Sequence, residues 1–385
     1  HRELGLEQVA LVEGWNSVVS GPGDYSGHRF RADTYSVLPR HEIARVSELL
    51  QSQLLQPINI TPVQPSLAET DLLISESSGP TGSAFNEFTP LFHRNRFALQ
   101  ASGVLGGNHT FGDEVVHSGV WNRFAYSIGQ FHLETDGFRE NNNQDQDIYD
   151  LFLQASLTHK TSIQGEFRSR TLVKGDLPLL FDSDSFLPFL AQSEEFDTIR
   201  FGLHHAFAPG SARIASVIYG CFDGKLDDQT FDPFFQLPGT VEIALDDDAW
   251  TVEIQHLYRS RRFRITSGGG YFQADRNDVF TVRQSVPFPP GLLEFSAAAE
   301  TDVRQINLYL YSLIDYPQNV TFTLGASADF FDDGDSEINQ FNPKLGVTWN
   351  PVPSTTLRGA VFRTLQRALV SSQTIEPTNV AGFNQ

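Results

Sequence analysis

The chain has 385 residues, of which 47 are acidic and 27 basic, giving a formal charge of −20, with 32 Phe, one Cys and no Met. Such a charge excludes a nucleic-acid partner, which calls for a basic face, and the single Cys221 excludes a disulfide framework. No apolar run is long enough for a transmembrane helix, and no Cys or His spacing points to zinc.

Residues 1–55 read as helix. Leu6, Val9, Ala10 and Val12 recur at helical spacing until Gly21-Pro22-Gly23 stops the run. A second helix is expected from Asp24 to Leu38 and a third from His41 to about Leu55, the third with Ile43, Val46, Leu49, Leu50 and Leu54 on one face. The stretch through Trp15, Val18, Pro22, Tyr25, His28, Ala32 and Tyr35 resembles the tetratricopeptide repeat. That resemblance implies further repeats upstream and a periplasmic protein partner docked on them. Residues 56–95 read as a Pro-, Ser- and Gly-rich linker.

From Arg96 the texture becomes alternation in stretches of about ten residues, the length that crosses a bilayer at a tilt. Ile163, Gly165 and Phe167 alternate with Gln164, Glu166 and Arg168; Phe322 and Leu324 alternate with Thr321 and Thr323. About thirteen strands are expected, from 96–106 to 355–365. Tight links at Trp121-Asn122, His159-Lys160, Pro209-Gly210, Ser260-Arg261, Pro317-Gln318-Asn319 and Pro351-Val352-Pro353 alternate with longer ones at 136–146, 175–196, 224–248, 275–301 and 332–340. Strict alternation of short and long links is the mark of an antiparallel transmembrane β-barrel with short turns on the periplasmic side. An odd strand number and a first residue other than Met make the chain read as a segment of a longer protein. The barrel is then incomplete at Gln385, and any export signal lies upstream of His1.

The run Phe341-Asn342-Pro343-Lys344-Leu345-Gly346, then Leu357-Arg358, then Ile375-Glu376-Pro377, resembles the strand pair of TonB-dependent receptor barrels. Together with the N-terminal helices, the chain resembles outer-membrane barrels fused to tetratricopeptide repeats. The resemblance implies transport or permeation of a hydrophilic solute. No plug domain is read between the linker and the first strand.

Strand parity assigns the faces. Phe167, Phe201, Leu203, Phe322, Leu324 and Trp349 are expected to face lipid and lipopolysaccharide. Gln164, Glu166, Arg168, Arg170, Arg200, His204, Arg264, Thr266, Thr321, Thr323 and Lys344 are the candidate lumen-lining residues. On this reading Arg in place of Leu324 is costly, whereas Arg in place of Thr323 is nearly silent. Neighbouring His204 and His205 point to opposite faces and cannot share a metal. Acidic clusters at 223–228, 246–248 and 332–337 read as solvated outer loops. No nucleophile–base pair can be placed, so neither an enzyme nor a cofactor is expected. Two other functions fit the same sequence: export of an exopolysaccharide, and a sealed barrel serving as a structural anchor.

Overall fold

The period-two pattern that begins at Arg96 folds as a single antiparallel sheet of 13 strands in sequence order, β1 and β13 forming its two edges. In the computed structural model the described residues are 95–177, 186–231, 237–287, 290–352, 354–365, 368–370, 374–377, 379–381 and 383–384. The helices expected over residues 1–55, and the linker before Asn95, lie outside the described residues.

The first six strands are β1 (Arg96–Leu105), β2 (Phe111–Trp121), β3 (Phe124–Thr135), β4 (Gln144–Ser156), β5 (Thr161–Lys174) and β6 (Ala191–Ala208). Four long strands follow: β7 (Ser211–Phe231), β8 (Pro238–Arg259), β9 (Phe263–Pro287) and β10 (Pro290–Ile314). The sheet ends with β11 (Val320–Asp332), β12 (Glu337–Val352) and β13 (Thr355–Phe362). At the tight-turn end the observed strand limits agree with the expected ones to within two residues. Polar turn residues fix that end: Asn122 and Asn319 take left-handed backbone angles (φ 54° and 68°) that asparagine tolerates.

At the opposite end most of two expected loops is strand. Residues 224–248 and 275–301 read as loops because they are acidic and Pro-containing, yet β7–β8 pairing runs in unbroken register from Ser211↔Tyr258 to Phe231↔Pro238. β9 pairs with β10 from Phe263↔Ile314 to Pro287↔Pro290, and with β8 as far as Gly239↔Gln284. Side chains that alternate through Val241 and Ile243, and through Phe280 and Val282, favour the extended chain. Charge is offset across strands: Arg283 reaches Glu242 at 2.9 Å and Glu294 at 3.1 Å, and Arg276 reaches Asp247 at 3.5 Å.

One face of the sheet is apolar and exposed. Leu99, Val115, Ile128, Leu153, Phe201, Leu203, Ile254, Leu308, Leu324, Leu345 and Val361 all show on it. Two aromatic levels bound this band. On β8 they are Trp250 and Tyr258, on β12 Phe341 and Trp349, each pair eight positions apart. At about 3.3 Å per residue, eight positions span about 26 Å of strand, or about 20 Å of height at a tilt of about 40°, most of the apolar band of an outer-membrane barrel, about 25 Å tall. Where the Tyr219 ring lies tilted against Trp250 with centroids 4.5 Å apart, its hydroxyl donates to Asp248 at 2.8 Å, so charge begins at that level.

The other face is buried and mixed, with polar and charged side chains set among apolar ones such as Phe131, Ile148, Phe152 and Ile214. Gln146, Gln154, Gln164, Arg168, Arg170, Arg200, Gln255, Asn307, Asn342 and Lys344 all lie on it, each less than a tenth exposed. The expectation that Arg at Thr323 would be silent fails here. Thr323 is 3% exposed, and its Cβ lies 3.3 Å from where a Cβ on Gly346 would stand. An arginine there overpacks the site.

After β13 the chain turns back along the inner face. Ala368 and Val370 pack on Phe272, Ala274 and Val303; Ile375 packs on Ile214; Val380 packs on Tyr309 and Tyr311. A short hairpin, β14 (Asn379–Val380) with β15 (Phe383–Asn384), ends the described residues.

Candidate functional site

The inner face offers two arrangements of polar groups. The first lies across β4, β5 and β6 and is fixed by register. Glu166 stands opposite Arg200, and their side chains form an ion pair. Leu172 stands opposite Glu194, so Arg170 and Lys174, two positions to either side on the same face, both reach that carboxylate. Arg170 meets it at 2.5 Å and Lys174 at 2.9 Å, with all three side chains largely buried. Asp150 pairs in register with Arg168, and Gln154 with Gln164.

The second arrangement lies across β8 to β12, and Ala368, Thr374, Ile375 and Glu376 complete it. Glu253 accepts from the Thr374 hydroxyl at 2.7 Å and the Ile375 N–H at 2.9 Å. Gln255 donates to the Tyr309 hydroxyl at 3.0 Å and to the Ile375 carbonyl. Glu376 accepts from Asn307 at 3.0 Å and from Tyr311 at 2.8 Å, with the Lys344 ammonium 3.8 Å away. The Ala368 N–H donates to Gln305 at 2.9 Å. Burying so many charges is tolerable only because each finds opposite charge or hydrogen bonds nearby.

The eleven candidate residues divide accordingly. Gln164, Arg168, Arg170, Arg200, Thr323 and Lys344 are buried on the inner face, and half-buried Glu166 joins them through Arg200. His204 and Thr266 share that parity nearer the tight turns, both half-buried. Arg264 and Thr321 do not sit deep in the wall. They converge at the tight-turn rim on Asp315, at 3.1 Å and 2.7 Å. His205 points the other way from His204 and meets Thr161 at 2.9 Å.

Sequence reasoning missed Lys174, Asp150 and Glu194. Parity places Lys174 with Arg170, and an earlier start for β6 would have revealed Glu194. Parity likewise places Glu253 with Gln255, but its pairing with Thr374 and Ile375 carried no such signal, because that segment lies some 120 positions away.

Among the described residues one group could offer metal-ligand atoms close together: His132, Asp145 and Asp147. It sits on the outer face toward the long-link end, away from the inner wall, and His132 Nδ1 is already hydrogen-bonded to Asp147 at 2.9 Å.

The β-barrel profile of TonB dependent receptor-like proteins matches residues 174–383. No curated protein matches the chain in sequence. Among solved structures it is similar to the siderophore receptor PiuA of Acinetobacter baumannii, with a TM-score of 0.55 and 10% identity over 72% of this chain and 50% of that one. It is similar to the copper transporter OprC, with 0.56 and 9% over 71% and 46%. It is similar to the ferric-catecholate import receptor Fiu of E. coli K12, with 0.54 and 10% over 79% and 58%. The chain thus spans about half the length of the structures it matches. At such identity the likeness is one of fold.

Proposed function

The chain belongs to the TonB-dependent-receptor-like β-barrel family, and from that premise we propose that it walls an outer-membrane receptor that imports a hydrophilic metal chelate of the siderophore kind. The supporting observation is the two-faced sheet. An apolar outer band is the surface that lipid requires, and the amides, carboxylates, arginines and lysines that the inner face holds among its apolar side chains suit a solute that carries its own charge and hydrogen-bonding groups. The eleven candidate residues would act as wall for that solute, most directly the ladder of Glu166, Arg168, Arg170 and Arg200. Similar structures that are siderophore receptors or a copper transporter favour a metal cargo over a sugar. No observation favours polysaccharide export or a sealed anchor. On sequence pattern alone, residues 1–55 form a periplasmic helical segment for a protein partner, with residues 56–95 as linker.

The test is uptake of radiolabelled ferric catecholate, ferric hydroxamate and copper by cells producing the full-length protein, against cells lacking it. Import of at least one metal species, lost on deletion and stopped by an uncoupler, is the expected result. Uptake insensitive to the uncoupler, or passage of neutral sugars alone, would make the protein a passive pore instead.

A further inference from the structure

The long strands do not end together. β10 pairs with β9 along all of Pro290–Ile314, but with β11 only along Arg304–Ile314. Residues 290–303 therefore form a sheet edge with one side unpaired among the described residues. This edge begins beyond the aromatic level, because Trp250 aligns with Gln273 and Gln273 with Arg304. At about 3.3 Å per residue it runs for roughly 45 Å outside the apolar band, on the side away from the tight turns.

Residues 291–300 are exposed at every position, including Leu292, Leu293 and Phe295 at 60%, 62% and 62%. Proteins protect such edges with lysines, internal prolines, bulges or a covering loop. Between Gly291 and Val303 there is no Lys and no Pro, and the register to β9 is unbroken. Unpaired N–H and C=O groups along a straight edge form a template for another extended chain.

The side chains say which kind. Val303 and Gln305 are buried on the inner side, so parity puts Leu293, Phe295, Ala297 and Ala299 on one side of the strand. Glu294, Glu300 and Asp302 fall on the other. Arg283 partners Glu294, whereas Asp302 stands opposite Asp275, acid against acid. A chain of charge −20 also repels a second copy of itself.

We propose that residues 290–303 dock an extended segment of a partner polypeptide by strand addition, the partner carrying basic residues at alternate positions and apolar residues between them. The partner's main chain completes the β10 edge. Its basic side chains meet Glu300 and Asp302, and its apolar ones continue the row of Leu293, Phe295 and Ala297. The inference rests on the membrane placement of the sheet and is independent of which solute is carried.

The probe is a fluorescent peptide of alternating Val and Lys, titrated against the full-length protein in micelles at about 0.15 M salt, where exposed charges beyond a Debye length are screened. The variant is E300K/D302K, which leaves the Arg283–Glu294 pair intact; its unchanged heat-modified migration on a gel would confirm the fold. Wild type is expected to bind the Val/Lys peptide at least about tenfold more tightly than a Val/Glu peptide. The variant should reverse that order, and N-methylation of alternate peptide nitrogens should abolish binding. Equal binding of the N-methylated peptide would reduce the contact to plain charge attraction and overturn strand addition. Unchanged binding by E300K/D302K would overturn the site. Concentration-dependent dimers of wild type that the variant does not form would assign the edge to a second copy, and so also defeat the proposal.

Discussion

Across β5 and β6 the buried ion pairs of the inner face form between neighbours in the sheet, whereas across β8 to β12 the carboxylates Glu253 and Glu376 are engaged through residues 374–376, up to 122 positions away in sequence. Register brings the pairs of the first region together. Glu166 stands opposite Arg200, and Glu194 stands opposite Leu172, between Arg170 and Lys174. The second region depends on a segment that follows β13 in the chain and packs back on the inner face. Loop closure over more than a hundred residues costs entropy, and burial of Ile375 and Val380 helps to offset it. The two halves should therefore be separable by mutation.

The largest effect is expected at Glu376. Removing its carboxylate by Glu376→Ala takes a counter-charge from Lys344, whose side chain is 2% exposed, and one acceptor each from Asn307 and Tyr311. Breaking a buried pair in this way costs about 3–5 kcal/mol, measurable by guanidinium unfolding in micelles. Hydrogen exchange should rise in residues 368–380 and stay unchanged in 161–200. Equal acceleration in both regions would mean that the halves form one cooperative unit.

A second test asks what the halves share, which is the bilayer. Leu345 lies midway between Phe341 and Trp349. Leu203 stands level with Ala215 and Ile254, and Ile254 lies midway between Trp250 and Tyr258. Arginine at either position should cost about 2–4 kcal/mol, the penalty at the midplane of a transmembrane barrel. A large cost at one and none at the other would mean that the two halves do not cross the same hydrocarbon layer.

Glu194 probes the first half by itself. Glu194→Gln removes the charge shared by Arg170 and Lys174 while keeping the size of the side chain. Hydrogen bonds to charged groups contribute about 1.5–3 kcal/mol, so the loss should be of that order. Faster exchange should then be confined to β5 and β6. Spread of the effect to residues 368–380 would show that the segment also supports the first half.

The same contrast explains what the sequence could tell. Thirteen strands, their tight turns and the facing of residues such as Phe201 and Arg200 follow from period two, which survives any change in tertiary surroundings. The ladder of Arg168, Arg170 and Arg200 follows for the same reason. The extensions of β7 to β10 were hidden because Asp246-Asp247-Asp248 reads as loop until Arg276 is known to lie beside it. The role of Ile375 and Glu376 was hidden more deeply: a Glu-Pro pair after a run with no period gives no sign of the inner face it packs on.

The smallest expected effect lies at the long-link end of the first half, outside the apolar band. His109, between β1 and β2, pairs with Asp136, which follows β3. The hydrogen bond to Asp136, and then its negative charge, raise the His109 pKa above its ordinary 6.5. A histidine whose folded pKa lies above the unfolded one adds stability that is fully present below the unfolded value. That stability is lost as pH rises through the folded value. Wild type should therefore melt slightly higher than His109→Gln at pH 5.5, and the gap should close by about pH 8.5, two units above the ordinary histidine value. Both groups are exposed, so the gap should also shrink with added salt. A gap that persists at high pH would mean that His109 acts through packing of the β1–β2 turn and not through its charge. A gap that also appears in hydrogen exchange of residues 368–380 would tie this rim to the second half, against the separation drawn above.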